Sequence, residues 1–406
     1  MEPAQPHSFS RQVSLCMAMQ AIIHCGPISR ASISKQTGLS KQTVSELVRI
    51  LEEEGWVRET GRTSGHVGRT ATTYELVTDS AFMAAVDLGG TKVRVAIVDL
   101  AGSVIAEAVA PTHPDGGQSV ARQIGELVGA AVAEGEVDRQ RVRQTVVGCP
   151  GVPDQVTGAV RYAPNIAGID GFDFRAAVAE ATGTQVVLEN DVNLAVLGEQ
   201  WLGAGQGIDH LAFIALGTGI GAGLIVNGAL LRGASGAAGE LGYLPFGADP
   251  FEAESLRVGA FERVTATHGI RSAYQAATGR VLDVPSIFGA SAEGDTAAQA
   301  VLDGVARQMA RAVATLGAVI APETVILGGS IGARPEIIAA TKTELERCFP
   351  FPIHVVPSAL GDHAALSGAV AIGLTELHTA LFAQSAPGAV VTLPTPKAAA
   401  MRRAAG

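Results

Sequence analysis

The chain has 406 residues, of which 47% are hydrophobic and 17% charged, a composition typical of an ordered globular protein and unlike that of a disordered chain. A chain of this length is too long to fold around one ordinary hydrophobic core, so we predict two or three domains. Glycines interrupt the longest apolar runs, so we predict no membrane-spanning helix, and the first residues lack the basic and apolar regions of a secretory signal.

Cysteine spacing and charge distribution narrow the class further. The four cysteines lie far apart and form no C-x-x-C pair, which predicts neither a disulfide framework nor a thiolate zinc site and favours the cytoplasm. The first 80 residues contain 8 Lys/Arg and 8 Asp/Glu, so the net charge of −10 is carried by the rest of the chain. Any contact with nucleic acid is therefore predicted in the neutral N-terminal part.

Three short helical patterns begin the chain. The first, in RQVSLCMAMQAIIHCG, ends at Gly26, and the second, RASISKQT, has Ser29 as its N-cap and stops at Gly38. Ser40 can cap a third helix, which is amphipathic. Its apolar stripe consists of Val44, Leu47, Val48 and Leu51.

The polar face of the third helix carries side chains suited to base edges and phosphates. The basic, Gly-rich segment WVRETGRTSGHVGRTATTYELV follows and predicts a hairpin wing. A helical dimerisation module with a solvated polar face is the alternative, but the wing favours DNA binding, and the segment resembles the winged helix-turn-helix of bacterial repressors. The predicted DNA-binding residues are Lys35, Ser40, Lys41, Gln42, Thr43, Ser45, Arg49, Arg62 and Arg69.

Three glycine-rich turns follow in the acidic part of the chain. In DLGGTK, an apolar strand ends at Asp87, whose carboxylate is suited to a hydrated Mg²⁺ ion, and the glycines let the backbone approach a phosphate. LGTGIG lies between two apolar strands, and LGGSIG lies between a strand and a helix, where the helix dipole favours an anion. A tight turn explains each motif alone, whereas the three together favour nucleotide binding. The predicted nucleotide-binding residues are Asp87, Gly89, Gly90, Thr91, Lys92, Gly217, Thr218, Gly219, Gly328 and Gly329.

Between the first and second turns lies the motif ENDVN. Asn190, Asp191 and Asn193 interrupt the junction of an apolar strand and a helical pattern, where a hydrophobic core disfavours charge. A partly desolvated carboxylate at this place is suited to accept a proton from a hydroxyl that attacks a phosphoryl group. The alternative is that Asp191 only caps the following helix.

From about residue 82 to residue 378 the chain resembles the ROK family (repressors, open reading frames and sugar kinases), on the motifs DLGGTK, NIAG, ENDVN, LGTGIGAG, GAAGELG, LGGSIG and LGDHAALSGAV. The resemblance implies an α/β actin-like ATPase (hexokinase-like) fold with two lobes, in which a sugar and a nucleotide meet in the cleft. Asp191 matches the family's catalytic base. The resemblance implies sugar contacts from Asn165, Asn190, Asp191, Glu240 and Glu254.

One segment departs from the family pattern. The usual motif continues from GELG with a histidine and a cysteine-rich segment that together hold a structural zinc, whereas this chain has Tyr243 and then LPFGADPFEAE, without cysteine. Because carboxylates do not replace thiolates in a structural zinc site, we expect no zinc. No resident metal site is predicted, and Mg²⁺ would enter only with ATP, in the kinase alternative described below. Tyr243 either makes the histidine's sugar contact through its hydroxyl or only packs, and the alternative for Glu240 and Glu254 is that they are surface charges.

The sequence thus predicts a winged helix-turn-helix over residues 1–80, a ROK sugar-binding, kinase-like domain over 81–380 and a disordered tail over 381–406. The favoured function is a repressor of sugar-utilisation genes. It binds a double-stranded DNA operator as a homodimer or homotetramer, responds to a sugar or sugar phosphate, contacts no membrane and requires no cofactor. The alternative is an ATP- and Mg²⁺-dependent sugar kinase with Asp191 as general base.

Overall fold

The computed structural model describes residues 9–63, 71–163, 165–383 and 393. The chain divides into two compact units. The first comprises Met1–Cys149, Thr157–Leu188 and Ala369–Gly406, and the second comprises Pro150–Val156 and Glu189–Gly368. The first unit therefore contains both the N-terminal helices and an α/β lobe, and the second unit is an α/β lobe with additional helices.

The N-terminal helices form a small bundle with a three-stranded sheet. Its elements are α1 (Phe9–Cys25), β1 (Ile28–Ser29), α2 (Arg30–Thr37), α3 (Lys41–Glu53), β2 (Val57–Thr63) and β3 (Ala71–Leu76). The strand order is β1-β3-β2, with antiparallel pairing throughout. The predicted helix signals are confirmed, because Ser29 and Ser40 cap α2 and α3, and Gly38 ends α2 with φ 73°. The hairpin β2–β3 is the predicted wing, and its tip lies outside the described residues.

The lobe of the first unit is a five-stranded mixed sheet covered by helices. Its elements are β4 (Phe82–Leu88), β5 (Lys92–Asp99), β6 (Val104–Pro111), α4 (Gly117–Glu134), β7 (Val142–Cys149), β8 (Val152–Pro153), β9 (Val160–Arg161), α5 (Phe174–Thr182) and β10 (Gln185–Asn190), although β8 and the last two residues of β10 belong to the second unit. The strand order is β10-β7-β4-β5-β6, with β7 parallel to β4. The central strands β4, β5 and β7 read as largely apolar runs because both of their faces are mostly buried.

The second unit repeats this pattern around another five-stranded sheet. Its elements are α6 (Asp191–Leu202), β11 (Leu211–Leu216), β12 (Ile220–Val226), β13 (Ala229–Leu230), α7 (Ala253–Val258), α8 (Glu262–Thr265), α9 (Thr267–Thr278), α10 (Val284–Ala292), α11 (Thr296–Ile320), β14 (Thr324–Gly328), α12 (Gly329–Gly332), α13 (Pro335–Cys348), β15 (His354–Pro357) and the start of α14 (Ala364–Phe382). The order β15-β14-β11-β12-β13 matches that of the first sheet, since a hairpin again lies beside a parallel strand. The predicted two-lobed α/β fold is thereby confirmed.

The end of α14 packs within the first unit against the N-terminal bundle. The rings of Trp56 and Phe382 meet edge to face, with 5.3 Å between their centroids. The His378 ring is buried and hydrogen-bonds the Leu100 carbonyl at 2.9 Å. In the described part of the chain, the stretch Gly361–Phe382 is the one helix whose length and mean hydropathy of 1.3 would allow it to cross a membrane, but 61% of its apolar 18-residue window is buried in the fold. Buried core helices have the same composition, so this is weak evidence for a membrane contact.

Candidate functional site

The third helix of the bundle, α3, has one buried and one exposed face. Val44, Leu47, Val48 and Leu51 are at most 2% exposed and hold the helix on the bundle. The opposite face presents Lys41 and Gln42, both exposed, in the first turn of the helix. Lys35 is also exposed, on α2. Long polar side chains at an exposed helix N-terminus can reach base edges and phosphates.

Several other predicted DNA-binding side chains of α3 already have partners. Ser40 accepts a hydrogen bond from the Thr43 N–H, and their hydroxyls lie 2.8 Å apart. Ser45 donates to the Lys41 carbonyl, and Arg49 forms an ion pair with Glu53. These side chains are exposed or half-buried, so DNA can still compete for them. Arg69 and the side chain of Arg62 lie outside the described residues.

The first glycine turn joins β4 to β5 in the first unit. The Gly89 N–H donates to the Lys92 carbonyl at 2.9 Å, and the Thr112 hydroxyl donates to the Gly89 carbonyl at 2.7 Å. Gly90 is exposed, and a Cβ added there would lie 3.1 Å from Cβ of Asn165. Within this unit the structure therefore brings a predicted sugar contact beside the predicted phosphate turn. Asp87, at the end of β4, and Lys92 are half-buried, and Thr91 is exposed.

The ENDVN motif lies at the junction of β10 and α6. Asn190 is the N-cap of α6, because its side-chain oxygen accepts the N–H groups of Val192 and Asn193 at 2.9 and 3.0 Å. Its amide nitrogen donates to the Gly151 carbonyl at 2.9 Å. The helix cap is thus supplied by Asn190, while Asp191 begins the helix with a half-buried carboxylate that accepts its neighbour's N–H at 2.8 Å.

Sequence reasoning missed a buried carboxylate next to this cap. Glu189 is 4% exposed and accepts hydrogen bonds from the Asn190 N–H and the Asn193 amide on one oxygen. Arg232 donates to the other oxygen at 2.8 Å. Glu189 therefore links the start of α6 to the loop that leads to Glu240. The signal in the sequence was a charged residue at the end of an apolar strand, where it requires a partner.

Glu240 and Glu254 occupy different environments. Glu240 is half-buried, and desolvation, with a smaller contribution from the charge of Glu262, raises the pKa of its carboxyl group. Glu254 lies on α7, exposed, in a two-pronged ion pair with Arg257 at 2.6 and 3.0 Å, which lowers the pKa of Glu254. Tyr243 is 42% exposed, and its hydroxyl donates to the Arg257 carbonyl over 3.4 Å.

The second and third glycine turns meet at the carboxyl ends of β11 and β14. The Gly217 N–H donates to the Gly219 carbonyl, and the Thr267 N–H and hydroxyl both donate to the Gly217 carbonyl. A Cβ added to Gly217 would lie 3.1 Å from the Ser330 hydroxyl, and one added to Gly329 would lie 2.4 Å from the Leu216 carbonyl oxygen. Crevices at the carboxyl ends of parallel strands are common ligand sites in α/β folds. Thr218, at the tip, is exposed, and Gly328 ends β14.

Comparison with known proteins assigns both parts of the chain. Residues 83–376 match the ROK family, and residues 18–58 match a winged helix-turn-helix DNA-binding module. The chain belongs to the ROK family. Since the first match covers well over half of the 406 residues, the predicted family and the predicted N-terminal module are both confirmed.

ROK relatives of two kinds are similar to this chain. The glucokinase of Thermotoga maritima is 33% identical over 307 residues, which cover 71% of this chain and 95% of that protein. The xylose repressor of Caldicellulosiruptor bescii is 26% identical over 390 residues, which cover 91% of this chain and 98% of that protein. The crystal structure of a ROK family transcriptional regulator, a homologue of the Escherichia coli MLC protein, covers 93% of this chain and 99% of its own, with a TM-score of 0.74 and 23% identity. It shows that the fold extends over nearly the whole chain.

The zinc ion that the family resemblance implies does not fit the residues present. The position of the histidine ligand holds Tyr243, whose phenol donates to a backbone carbonyl. The following segment has three carboxylates. Glu252 is engaged by Arg263 and Glu254 by Arg257, each at 2.6 Å, and Asp249 accepts the Phe251 N–H at 3.0 Å. A tetrahedral structural site needs four nitrogen or sulfur ligands, and this segment offers none from histidine or cysteine.

Proposed function

We propose that this ROK protein is a DNA-binding transcriptional regulator of sugar-utilisation genes, a repressor whose ROK domain binds a sugar or sugar phosphate. The observation that carries the proposal is the exposed first turn of α3 on a winged helix-turn-helix that is joined to a ROK domain. The similarity to a xylose repressor extends through both parts, whereas the similarity to a glucokinase covers only 71% of the chain.

The proposed DNA contacts are the exposed residues of α3 and the wing. Symmetric half-sites on DNA require symmetric protein modules, so the proposal includes a homodimer or homotetramer. A transcriptional regulator acts where the chromosome is, so the proposal places the protein in the cytoplasm. It requires neither zinc nor another cofactor.

The proposed sugar contacts of the second unit include Asn190, Asp191 and Glu240. Carboxylate and amide oxygens accept hydrogen bonds from sugar hydroxyls, and carboxylates do so with charge assistance. Glu254 and Tyr243 complete the proposed set, although a sugar that uses Glu254 must compete with Arg257. An inducer changes DNA affinity only if it binds one conformation of the protein more tightly than the other.

The test is binding of the purified full-length protein to its own upstream DNA, titrated with a panel of sugars and sugar phosphates. We expect specific binding and a change in DNA affinity with one class of sugar. Asp191→Asn is matched in size and should weaken the sugar response without weakening DNA binding in the absence of sugar. Failure to bind the upstream DNA, or indifference to the whole panel, would refute the proposal.

A second candidate function is an ATP-dependent sugar kinase. It is favoured by the half-buried Asp191 at the start of α6, which is suited to act as a general base, and by the similarity to a glucokinase. A coupled assay of ADP release with the same sugars tests it. Turnover that Asp191→Asn abolishes would establish kinase activity. If the wild type shows no turnover, regulation is the one remaining candidate function.

A further inference from the structure

The second glycine turn carries an acidic side chain that the sequence patterns did not single out. Glu262 begins α8, and its Oε2 accepts a 2.9 Å hydrogen bond from the N–H of Ile220, directly after the turn Gly217–Gly219. A Cβ added to Gly219 would lie 2.8 Å from the same oxygen. The carboxylate therefore lies against the backbone of this turn.

The position of Glu262 is fixed by the packing around it. Phe261 is fully buried, and its N–H donates to the Gly242 carbonyl at 3.0 Å. Gly259 has a φ of 101°, and a Cβ there would lie 2.2 Å from the same carbonyl oxygen, so only glycine allows this approach. The backbone that carries Glu262 is thus held in place, and the hydrogen bond to the Ile220 N–H keeps the carboxylate against the turn.

A carboxylate that is held at this glycine turn changes the ligands that the turn favours. The backbone N–H groups of a glycine turn attract an anion such as a phosphate, but Glu262 takes the N–H of Ile220 and adds a negative charge. Glu240 is near enough for the charge of Glu262 to raise its pKa. Both carboxylates are half-buried, where water screens the repulsion of a further anion less than it does at the surface.

We propose that Glu262 determines ligand specificity by making the turn Gly217–Gly219 repel the polyphosphate of a nucleotide, so that the ROK domain binds its sugar without a nucleotide. This inference rests on the proposed function of the ROK domain as a sugar sensor. In this proposal Glu262 excludes the phosphoryl donor, so the domain senses the sugar and does not phosphorylate it. The ROK motifs DLGGTK, LGTGIG and LGGSIG stay intact in such a protein, because the repelling charge comes from outside them.

The test compares the binding of a non-hydrolysable ATP analogue with Mg²⁺ to the full-length wild-type protein and to Glu262→Gln. The amide keeps an oxygen that can accept the Ile220 N–H but removes the charge. We expect Glu262→Gln to bind the analogue at least about tenfold more tightly, as expected for loss of repulsion between close, partly screened charges. Glu293→Gln, which removes an exposed carboxylate at the end of α10, should bind it like the wild type.

Equal affinity of Glu262→Gln and the wild type would overturn the inference. The wild type alone gives a second measurement that does not depend on the variant folding. Adenosine carries no phosphate, so the wild type should bind it at least as tightly as the ATP analogue, and a tenfold preference for the analogue would also overturn the inference. The sugar titration of DNA binding by the wild type is independent of both measurements. If DNA binding does not respond to sugar, the proposed regulator function is refuted. The nucleotide comparison still decides the role of Glu262.

Discussion

Arg232 donates a 2.8 Å hydrogen bond to the buried carboxylate of Glu189. Glu189 in turn receives the Asn193 amide at 2.9 Å, so one buried acid connects the loop before Glu240 to the first turn of α6. Three of the proposed sugar contacts, Asn190, Asp191 and Glu240, lie on or directly beside these two segments. The ion pair therefore ties these two segments of the second unit together.

We expect Arg232→Met to lower the free energy of unfolding by about 2 kcal/mol or more, because it leaves the charge of Glu189 buried without its main partner. Arg257→Met is the matched control. It breaks the exposed pair with Glu254 and should cost much less, because water screens an ion pair at the surface. Urea unfolding of the three proteins measures both values, and equal costs would show that Glu189 does not depend on Arg232.

Gly329→Ala should destabilise the protein by more than about 2 kcal/mol, because φ is 79° and the new Cβ would lie 2.4 Å from the Leu216 carbonyl oxygen. Gly279→Ala has a similar φ of 71° at the end of α9, but its Cβ would meet nothing within 4 Å. It should cost only about 1 kcal/mol. Thermal unfolding checks the pair, and the prediction is wrong if the two variants unfold at the same temperature.

Asn190→Ala removes the cap of α6 and should cost about 1–2 kcal/mol of stability. Asn190→Ser restores a capping oxygen and most of that stability, but its shorter side chain should still weaken sugar binding, because it cannot reach the same hydroxyl. Asp173→Ala removes the cap of α5 and serves as the control, with reduced stability and unchanged sugar affinity. Full sugar affinity in Asn190→Ser would remove Asn190 from the proposed site.

Burial lowers the pKa of His378 from 6.5 to about 4. The folded protein therefore binds fewer protons than the unfolded chain between these values, so this histidine makes the fold less stable as the pH falls through that window. His378→Gln can keep a donor to the Leu100 carbonyl without titrating. Between pH 7.5 and pH 5, we expect the wild type to lose about 2 kcal/mol more than this variant, measured by urea unfolding at both values. Equal losses would contradict the prediction.

Lys41→Ala should weaken binding to all DNA sequences. It should also reduce the slope of log Kd against the logarithm of the salt concentration by about one, as expected for a lost phosphate contact. Gln42→Ala should instead reduce discrimination between operator and unrelated DNA by about 1–3 kcal/mol. Lys342→Ala changes an exposed lysine on α13 and should leave both unchanged. Fluorescence anisotropy at several salt concentrations measures these effects, and unaltered binding by both α3 variants would place the DNA elsewhere.

Local sequence rules predicted much of the fold. The caps at Ser29 and Ser40, the end of α2 at Gly38 and the apolar stripe of α3 depend on neighbouring residues, so short patterns contain the information. The alternative that Asp191 caps α6 is wrong, because Asn190 in the preceding position supplies the cap. Both side chains can cap a helix, and the backbone geometry decides between them.

The sequence by itself determined the family, the winged helix-turn-helix and the three glycine turns, because each is written in a contiguous motif. Only the tertiary structure decided which distant residues meet. It brought Arg232 to Glu189, Asn165 to Gly90 and Glu262 to Ile220, across separations of 42 to 75 residues. Such contacts arise from how strands and loops pack, and no local pattern encodes the partner that a buried charge will find.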